Sequence, residues 1–395
     1  MERRSILIYY HCGANTGYAI ETLEKVFFEV AIRFTQDIDQ IHIGYSHFKS
    51  GPPKYLPKGF SRITQIKPFD VESHSSVFDY IKKNRINVVF GFDQGVSAPI
   101  YRVMRRAGVK LFVSYWGAPM SSINHGLKLA LKRVEVFIRQ NKPDHYIFES
   151  KAMAETAVFG RGIPAKNVSV IPLGVNTDQY KPNALFKEYA HDVFSIPKDR
   201  KIIYYSGHME RRKGVDVIIH AANELICKLC RSDIHFLILG NKNQEEVDFD
   251  SLYKNRKSAN HITFGGYRSD VSSILPSCHL GVIASTGWDS FTMSSVEMAA
   301  AGLPLIVSNL QGLKEVVEPQ KTGYLFEPGD HIELSQLIER VLDDSEEYRK
   351  MSNFARRRIL DEFSMESQII RLSNLLEELY LSKFGQKPGP AIYKN

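Results

Sequence analysis

The sequence predicts an α/β protein built as two doubly wound domains facing a central cleft. Short apolar runs alternate with amphipathic stretches along the whole chain, which is how parallel strands joined by crossover helices read. At 395 residues the chain is too long for one ordinary domain and suits two of about 180 to 200. Glycine-bearing loops follow strands in both halves, and open α/β sheets bind ligands at the carboxyl ends of their strands.

In the first half, strands are expected at 5–10, 40–45, 88–92 and 111–115, with helices near 18–35, 77–84 and 97–107. The second half repeats the pattern, with strands at 202–206, 235–239, 262–264, 281–284 and 305–308. Polar residues and Pro182 interrupt the periodicity over 174–195, which sets the domains at 1–173 and 174–363 and leaves 364–395 as a C-terminal helix and tail. The tail begins near Phe384 and carries Pro388 and Pro390.

Hydrophobic residues make up 43% of the chain, enough for substantial cores and too many for a disordered protein. The net charge of +7 is dispersed and reads as a solvated basic surface, not a nucleic-acid footprint. Cys12, Cys227, Cys230 and Cys278 are scattered; the Cys227/Cys230 pair lacks a second ligand pair and reads as buried thiols late in a helix. A reducing cytoplasm fits. The apolar run after Met1 is too short for a signal peptide, and the uncharged run Val271 to Trp288 holds Pro276, serines and His279, so a membrane span is not expected. Membrane contact would be peripheral, at the inner face.

The most informative segment runs from Asp289 to Glu315. Leu280 to Ser285 reads as a buried strand, 286–292 as a loop, and Met293 as a helix start whose unpaired N–H groups suit a phosphate. Phe291, Thr292 and Met293 would supply backbone amides. Glu297, seven residues past the position after Asp289 in a run of small apolar residues, would accept the hydroxyls of a ribose beyond the phosphate. Asp289 would do the same for a sugar on the other side. Gly302 ends the helix and Pro304 opens the next strand.

This segment resembles the Glu-x7-Glu element of retaining glycosyltransferases of the GT-B fold, in particular glycosyltransferase family 4. The likeness extends to Gly312 to Glu315, to Thr322 to Asp330, to the loop Ser206-Gly207-His208 with Lys213-Gly214, and to Val170 to Asp178. It covers about residues 168 to 332 and is only general before that. Two departures stand out: Asp289 where the family usually has Glu, and His208 where it usually has Arg. The resemblance implies two Rossmann-like domains, the first on the acceptor side, and a final helix from about 364 to 383 crossing back to it. It also implies transfer of a sugar, with retention, from a nucleoside diphosphate sugar (UDP- or GDP-linked) to a glycan, lipid-linked or small-molecule acceptor, as in polysaccharide or glycoconjugate synthesis.

Lys213 stands at a strand-to-helix turn, ahead of the apolar face Val215, Ile218, Ile219, Ala222 and Ile226. With Arg211 or Arg212 it would stabilise charge on the leaving diphosphate, so Lys213, Asp289 and Arg211 are the expected catalytic group. His208 and Arg212 are expected at the donor phosphates, and Tyr267 and Arg268, in a loop after a short strand, at the nucleotide base. In the first domain Gly13 to Gly17 forms a strand-to-helix turn; Gly17 is expected at the donor, and Trp116 and Gly117 on the acceptor side. His125 reads as solvated. The basic amphipathic stretch Leu127 to Arg139 reads as a helix packed on the outer face of the sheet, with an anionic membrane surface as the alternative. Asp37-Ile-Asp39 and Asp248-Phe-Asp250 are taken as chance triplets, so neither metal nor cofactor is expected. A sugar-nucleotide epimerase, a phosphorylase and a non-catalytic nucleotide-sugar binder stay open as alternatives.

Overall fold

The computed structural model describes residues 3–385, which divide into two units: residues 3–172 with 368–385, and Leu173–Ser367. Among the described residues, the first unit holds one parallel sheet built from β1 (Ile6–Tyr10), β2 (Ile41–Tyr45), β3 (Ile63–Gln65), β4 (Val88–Phe92), β5 (Leu111–Trp116), β6 (His145–Phe148) and β7 (Val168–Val170). Its order is β3-β2-β1-β4-β5-β6-β7. Ile6 of β1 pairs with Ile41 on one side and Val88 on the other, so the winding reverses between β1 and β4. These strands read as unbroken apolar runs because helices cover both faces, and every residue of β1, β2 and β4 is buried.

The helix Tyr18–Thr35 packs Phe27 against Phe90 (4.6 Å between ring centroids) and Tyr115 (5.1 Å) on one face of the sheet. Ile81, Ile100, Met104 and Phe112 fill the other face. The helix Met365–Phe384 joins this unit from residue 368 onward. There Arg4 makes two 2.6 Å bonds to Glu377 with its guanidinium over the rings of Phe34 and Tyr380. The tail expected beyond Phe384 lies, from residue 386, outside the described residues.

The second unit carries β8 (Lys201–Ser206), β9 (Ile234–Leu239), β10 (Ile262–Phe264), β11 (Cys278–Ile283), β12 (Leu305–Ser308) and β13 (Gly323–Phe326), in the order β10-β9-β8-β11-β12-β13 and all parallel. The winding reverses between β8 and β11. All five apolar residues expected on one face of the helix after Lys213 are buried, in a core with Phe236, Ile238, Val282, Ile306, Leu334 and Ile338. Residues 174–195, expected to link the domains, lie within this unit and include a helix at Tyr189–Phe194.

Two sequence expectations change. The helix Gly126–Ile138 buries only Val136, so it is not packed by its apolar face on the sheet. Cys230 is exposed and Cys227 half-buried, because a wide π turn at Glu224–Lys228 ends the helix before Cys230, which sits at φ +55°. The acidic triplets have local roles: Asp37 accepts from the Asp39 N–H at 2.9 Å, Asp39 pairs with Arg62, and Asp250 pairs with Lys254.

Glu24 is fully buried against the stacked Tyr10 and Tyr45 rings and accepts a 2.6 Å bond from the Tyr45 hydroxyl. Burial pushes its carboxyl from 4.5 up to about 7, against the opposing effect of that hydrogen bond. A carboxyl raised in the folded state contributes stability that is complete below its unfolded pKa and lost as pH rises through about 7. The first unit should therefore melt lower at pH 8 than at pH 5, and Glu24→Gln should flatten this dependence, by at most about 3 kcal/mol at roughly 1.4 kcal/mol per pKa unit. Calorimetric Tm values across that range check it.

Candidate functional site

In the second unit the chemistry collects where the winding reverses, at the carboxyl ends of β8 and β11. Past β8, Arg211–Lys213 form one 3-10 turn closed by the Lys213 N–H on the Glu210 carbonyl (2.8 Å). Gly214 follows at φ +69°, and a Cβ there would lie 1.7 Å from the Ala284 carbonyl oxygen, so only glycine lets this turn approach the end of β11. From the other side, the Thr286 and Gly287 amides both donate to the Arg212 carbonyl, at 2.8 and 3.3 Å. Arg212 in turn donates to the Trp288 carbonyl (2.9 Å) and pairs with Glu210.

These stitches place Lys213 against Asp289. The ammonium lies 2.9 and 2.8 Å from the two carboxylate oxygens, with the side chains only 13% and 7% exposed. A buried pair survives only if its remaining hydrogen-bonding capacity is filled. Here the Ser285 hydroxyl donates to one oxygen (2.6 Å) and the Ser290 amide to the other (3.1 Å). With Lys213 on both oxygens, all four lone-pair positions are in use. Asp289 thus positions Lys213, and it could accept a sugar hydroxyl only by releasing one of these partners.

The loop then enters the helix Met293–Ala300. Phe291 is buried and packs on Phe363 at 5.1 Å, anchoring the entry. Thr292 takes the N-cap position in extended backbone, but no side chain caps the helix; the Ser295 hydroxyl bonds the Thr292 carbonyl instead (2.6 Å). The start therefore presents main-chain donors, the arrangement that suits an anion. At the other end Gly302 adopts φ +86°, as expected of the residue that ends this helix, and Arg356 bonds the Ala300, Tyr180 and Thr177 carbonyls. Glu297 occupies the second turn, 6% exposed, close enough to Tyr204 to help raise its phenol pKa behind the larger effect of burial.

The other expected donor residues divide. His208 and Arg211 are exposed on the same loop, with the His208 carbonyl held by the Tyr205 hydroxyl (2.9 Å). Tyr267 is 59% exposed on the loop after β10, beneath the Lys242 ammonium at 4.2 Å. That loop lies two strands from β8, about 10 Å along the sheet. Arg268 is committed elsewhere: its guanidinium grips Asp270 at 2.8 and 2.6 Å and lies over the Phe194 ring.

In the first unit Gly17 caps the helix Tyr18–Thr35 in open space at φ +146°. Of the loop amides expected to face a ligand, that of Ala14 is bonded internally to the His47 carbonyl. Trp116 stacks on Phe148 and donates to the Gln94 carbonyl; the Gly117 amide donates to Asp93 at 2.9 Å. Sequence reasoning passed over three residues here. His11, Asp93 and Glu149 each stand one position past a strand, β1, β4 and β6. His11 Nδ1 lies 4.0 Å from Asp93. Burial raises the Asp93 carboxyl to about 6 against the Gly117 amide and His11, and raises Glu149 well above the usual range, with Asp93 adding to it. A polar residue directly after a strand in a parallel sheet was the available signal.

Residues 186–358 match the family described as "Glycosyl transferases group 1". An Escherichia coli UDP-Gal:alpha-D-GlcNAc-diphosphoundecaprenol alpha-1,3-galactosyltransferase is 23% identical over 334 residues, 83% of this chain and 84% of that protein. Among solved structures, a Rickettsia africae glycosyltransferase has the same fold at a TM-score of 0.77 (16% identity, 95% of this chain, 99% of that one). Anabaena HepE in complex with UDP follows at 0.74 (17% identity, 95% and 100%).

The contact of Gly214 with Ala284 makes Gly214→Ala a direct test of this geometry. It should destabilise the second unit by more than about 2 kcal/mol, the left-handed backbone alone costing roughly 1 to 2. Differential scanning calorimetry should show a lower Tm for that unit and none for the first.

Proposed function

We propose that the chain moves a sugar from a nucleoside diphosphate donor to an acceptor hydroxyl, with retention of configuration, a reading supported by the match of residues 186–358 to the glycosyl transferases group 1. The observation that carries the reading is the buried Lys213 ammonium, held by Asp289 beside the uncapped start of Met293–Ala300. Negative charge grows on the diphosphate as the bond to the sugar breaks. A fixed cation and a row of helix N–H groups lower the energy of that charge without having to reorganise. Arg211 and Arg212, on the same turn, would add to it, and His208 would reach the phosphates from the loop. The chain's own cations suffice in this reading, which requires neither a metal nor a cofactor.

Glu297 would hold the ribose, and Tyr267 would lie against the base. Arg268, bound to Asp270, is better placed to shape that loop than to touch the nucleotide. The UDP in the Anabaena structure and the UDP-linked donor of the Escherichia coli relative favour a uridine nucleotide over a guanosine one, and a hexose as the sugar. Trp116 and Gly117, with Asp93 and His11 beside them, are proposed for the acceptor, a glycan or lipid-linked sugar. Four free cysteines suit a reducing compartment, so the reading sets the protein in the cytoplasm.

UDP should raise the Tm of the second unit in a thermal-shift titration, since a ligand of the folded state stabilises it. Glu297→Ala should weaken UDP binding about tenfold or more, a charge-assisted hydrogen bond contributing roughly 1.5–3 kcal/mol. His208→Ala should weaken it less. If UDP and GDP both leave Tm unchanged, the donor reading is wrong. Among nucleotide sugars that do bind, product analysis with donor alone and with inorganic phosphate separates transfer from epimerisation and phosphorolysis.

A further inference from the structure

Residues 46–62 join β2 to β3 and hold neither helix nor strand. Connections longer than about 12–15 residues without secondary structure are uncommon inside a compact domain and are usually lids or binding loops. This one is stitched over the turn Gly13–Gly17. The Ser46 amide donates to the Cys12 carbonyl (3.0 Å) and the Ala14 amide to the His47 carbonyl (3.3 Å). Asn15, in left-handed backbone at φ +56°, donates to the Ser50 and Pro52 carbonyls (3.1 and 2.9 Å) and accepts from the Lys54 amide (3.2 Å). The His47 ring covers Gly13 so closely that a Cβ there would lie 2.1 Å from it.

Tyr55 plugs this strap into the core. Its ring meets Phe28 edge-on at 5.9 Å, and its hydroxyl lies 3.3 Å from that of Tyr45, which donates to Glu24 at 2.6 Å. The second oxygen of Glu24 is buried without a hydrogen-bond partner. On its own helix Lys25 is exposed, and its pull on the carboxyl is smaller than the push of Glu21. The other titratable groups facing Glu24 are Tyr10, Cys12, Tyr45 and Tyr55, each moved further from ionisation by burial. A neutral carboxyl fits such a place, and a charged one with an unfilled oxygen does not.

We propose that residues 46–62 form a pH-gated lid on the turn Gly13–Gly17, closed while Glu24 holds a proton and released when Glu24 loses it. A carboxylate at Glu24 needs solvent. Of the tyrosines around it Tyr55 alone belongs to no helix or strand, so the strap gives way before the sheet does. Opening returns the Ala14 amide, held by His47 in the closed form, to the turn as a free donor. Burial lifts the Glu24 titration from 4.5 to about 7, so closure is complete below the lower value and weakens as pH rises toward the higher one. The inference does not depend on the donor reading, because no residue of the second unit takes part in it.

Hydrogen exchange of the full chain at pH 5 and pH 7.5, read by mass spectrometry and normalised to an unstructured peptide at each pH, tests it. Exchange over 46–62 should rise about tenfold or more between the two, while β1 and β4 keep their protection. Glu24→Gln stays neutral and should cut that rise to less than about threefold, which also separates Glu24 from His47 on the same strap. Asn15→Gly keeps the left-handed backbone but removes the side-chain stitches, so it should raise strap exchange several-fold at both pH values, and it repeats the test should Glu24→Gln fail to fold. Equal strap exchange at the two pH values, a rise that survives in Glu24→Gln, or an Asn15→Gly strap that exchanges as the wild type does overturns the proposal. So does loss of protection in β1 and β4 together with the strap.

Discussion

The second unit is organised around one buried ion pair. Lys213 and Asp289 leave water together at the point where the strand order of the sheet reverses, and neither would be tolerated there alone. The turn after β8 and the loop after β11 are consequently one object, tied by the Arg212 carbonyl, the Gly214 approach and the two serines that complete the Asp289 carboxylate. The entry of Met293–Ala300 inherits its position from that object and from Phe291 on Phe363. A cation and a helix start are in place before any ligand arrives, and such preorganisation lets electrostatic stabilisation act on a reaction.

The two units keep carboxyl groups inside by different means. Asp289 is surrounded by a cation and two hydrogen-bond donors. In the first unit Glu24, Asp93 and Glu149 are held largely by burial, which favours their neutral forms and moves their titration toward neutral pH. Asp93 adds to the rise of the Glu149 carboxyl as well.

Much of this was legible in the sequence where the physics is local. Unbroken apolar runs marked β4, β10 and β12 to the residue, periodicity marked the helix Tyr18–Thr35, and a glycine after small apolar residues marked the end of Met293–Ala300. β3, β6 and β7 were not: β3 and β7 bury no residue, and β6 is only four residues long and opens on a histidine. The pairing of Lys213 with Asp289 joins residues 76 apart, and no periodicity reports that. Nor does amphipathicity say which face of a helix turns inward: the 127–139 stretch was read as a helix, and its orientation depends on Val136, Asn124 and Arg161, outside the apolar pattern. Residues such as Arg268 looked available because a sequence shows a charge without its partner two positions on.

The central claim is that Lys213 and Asp289 act as one unit in stabilising the departing diphosphate. A double-mutant cycle on donor turnover, with Lys213→Met, Asp289→Asn and the two together, tests it most directly. The account predicts strong non-additivity, the double variant losing no more than the worse single one, with a coupling of more than about 1 kcal/mol. Losses that simply multiply, or full turnover in Asp289→Asn, would contradict it.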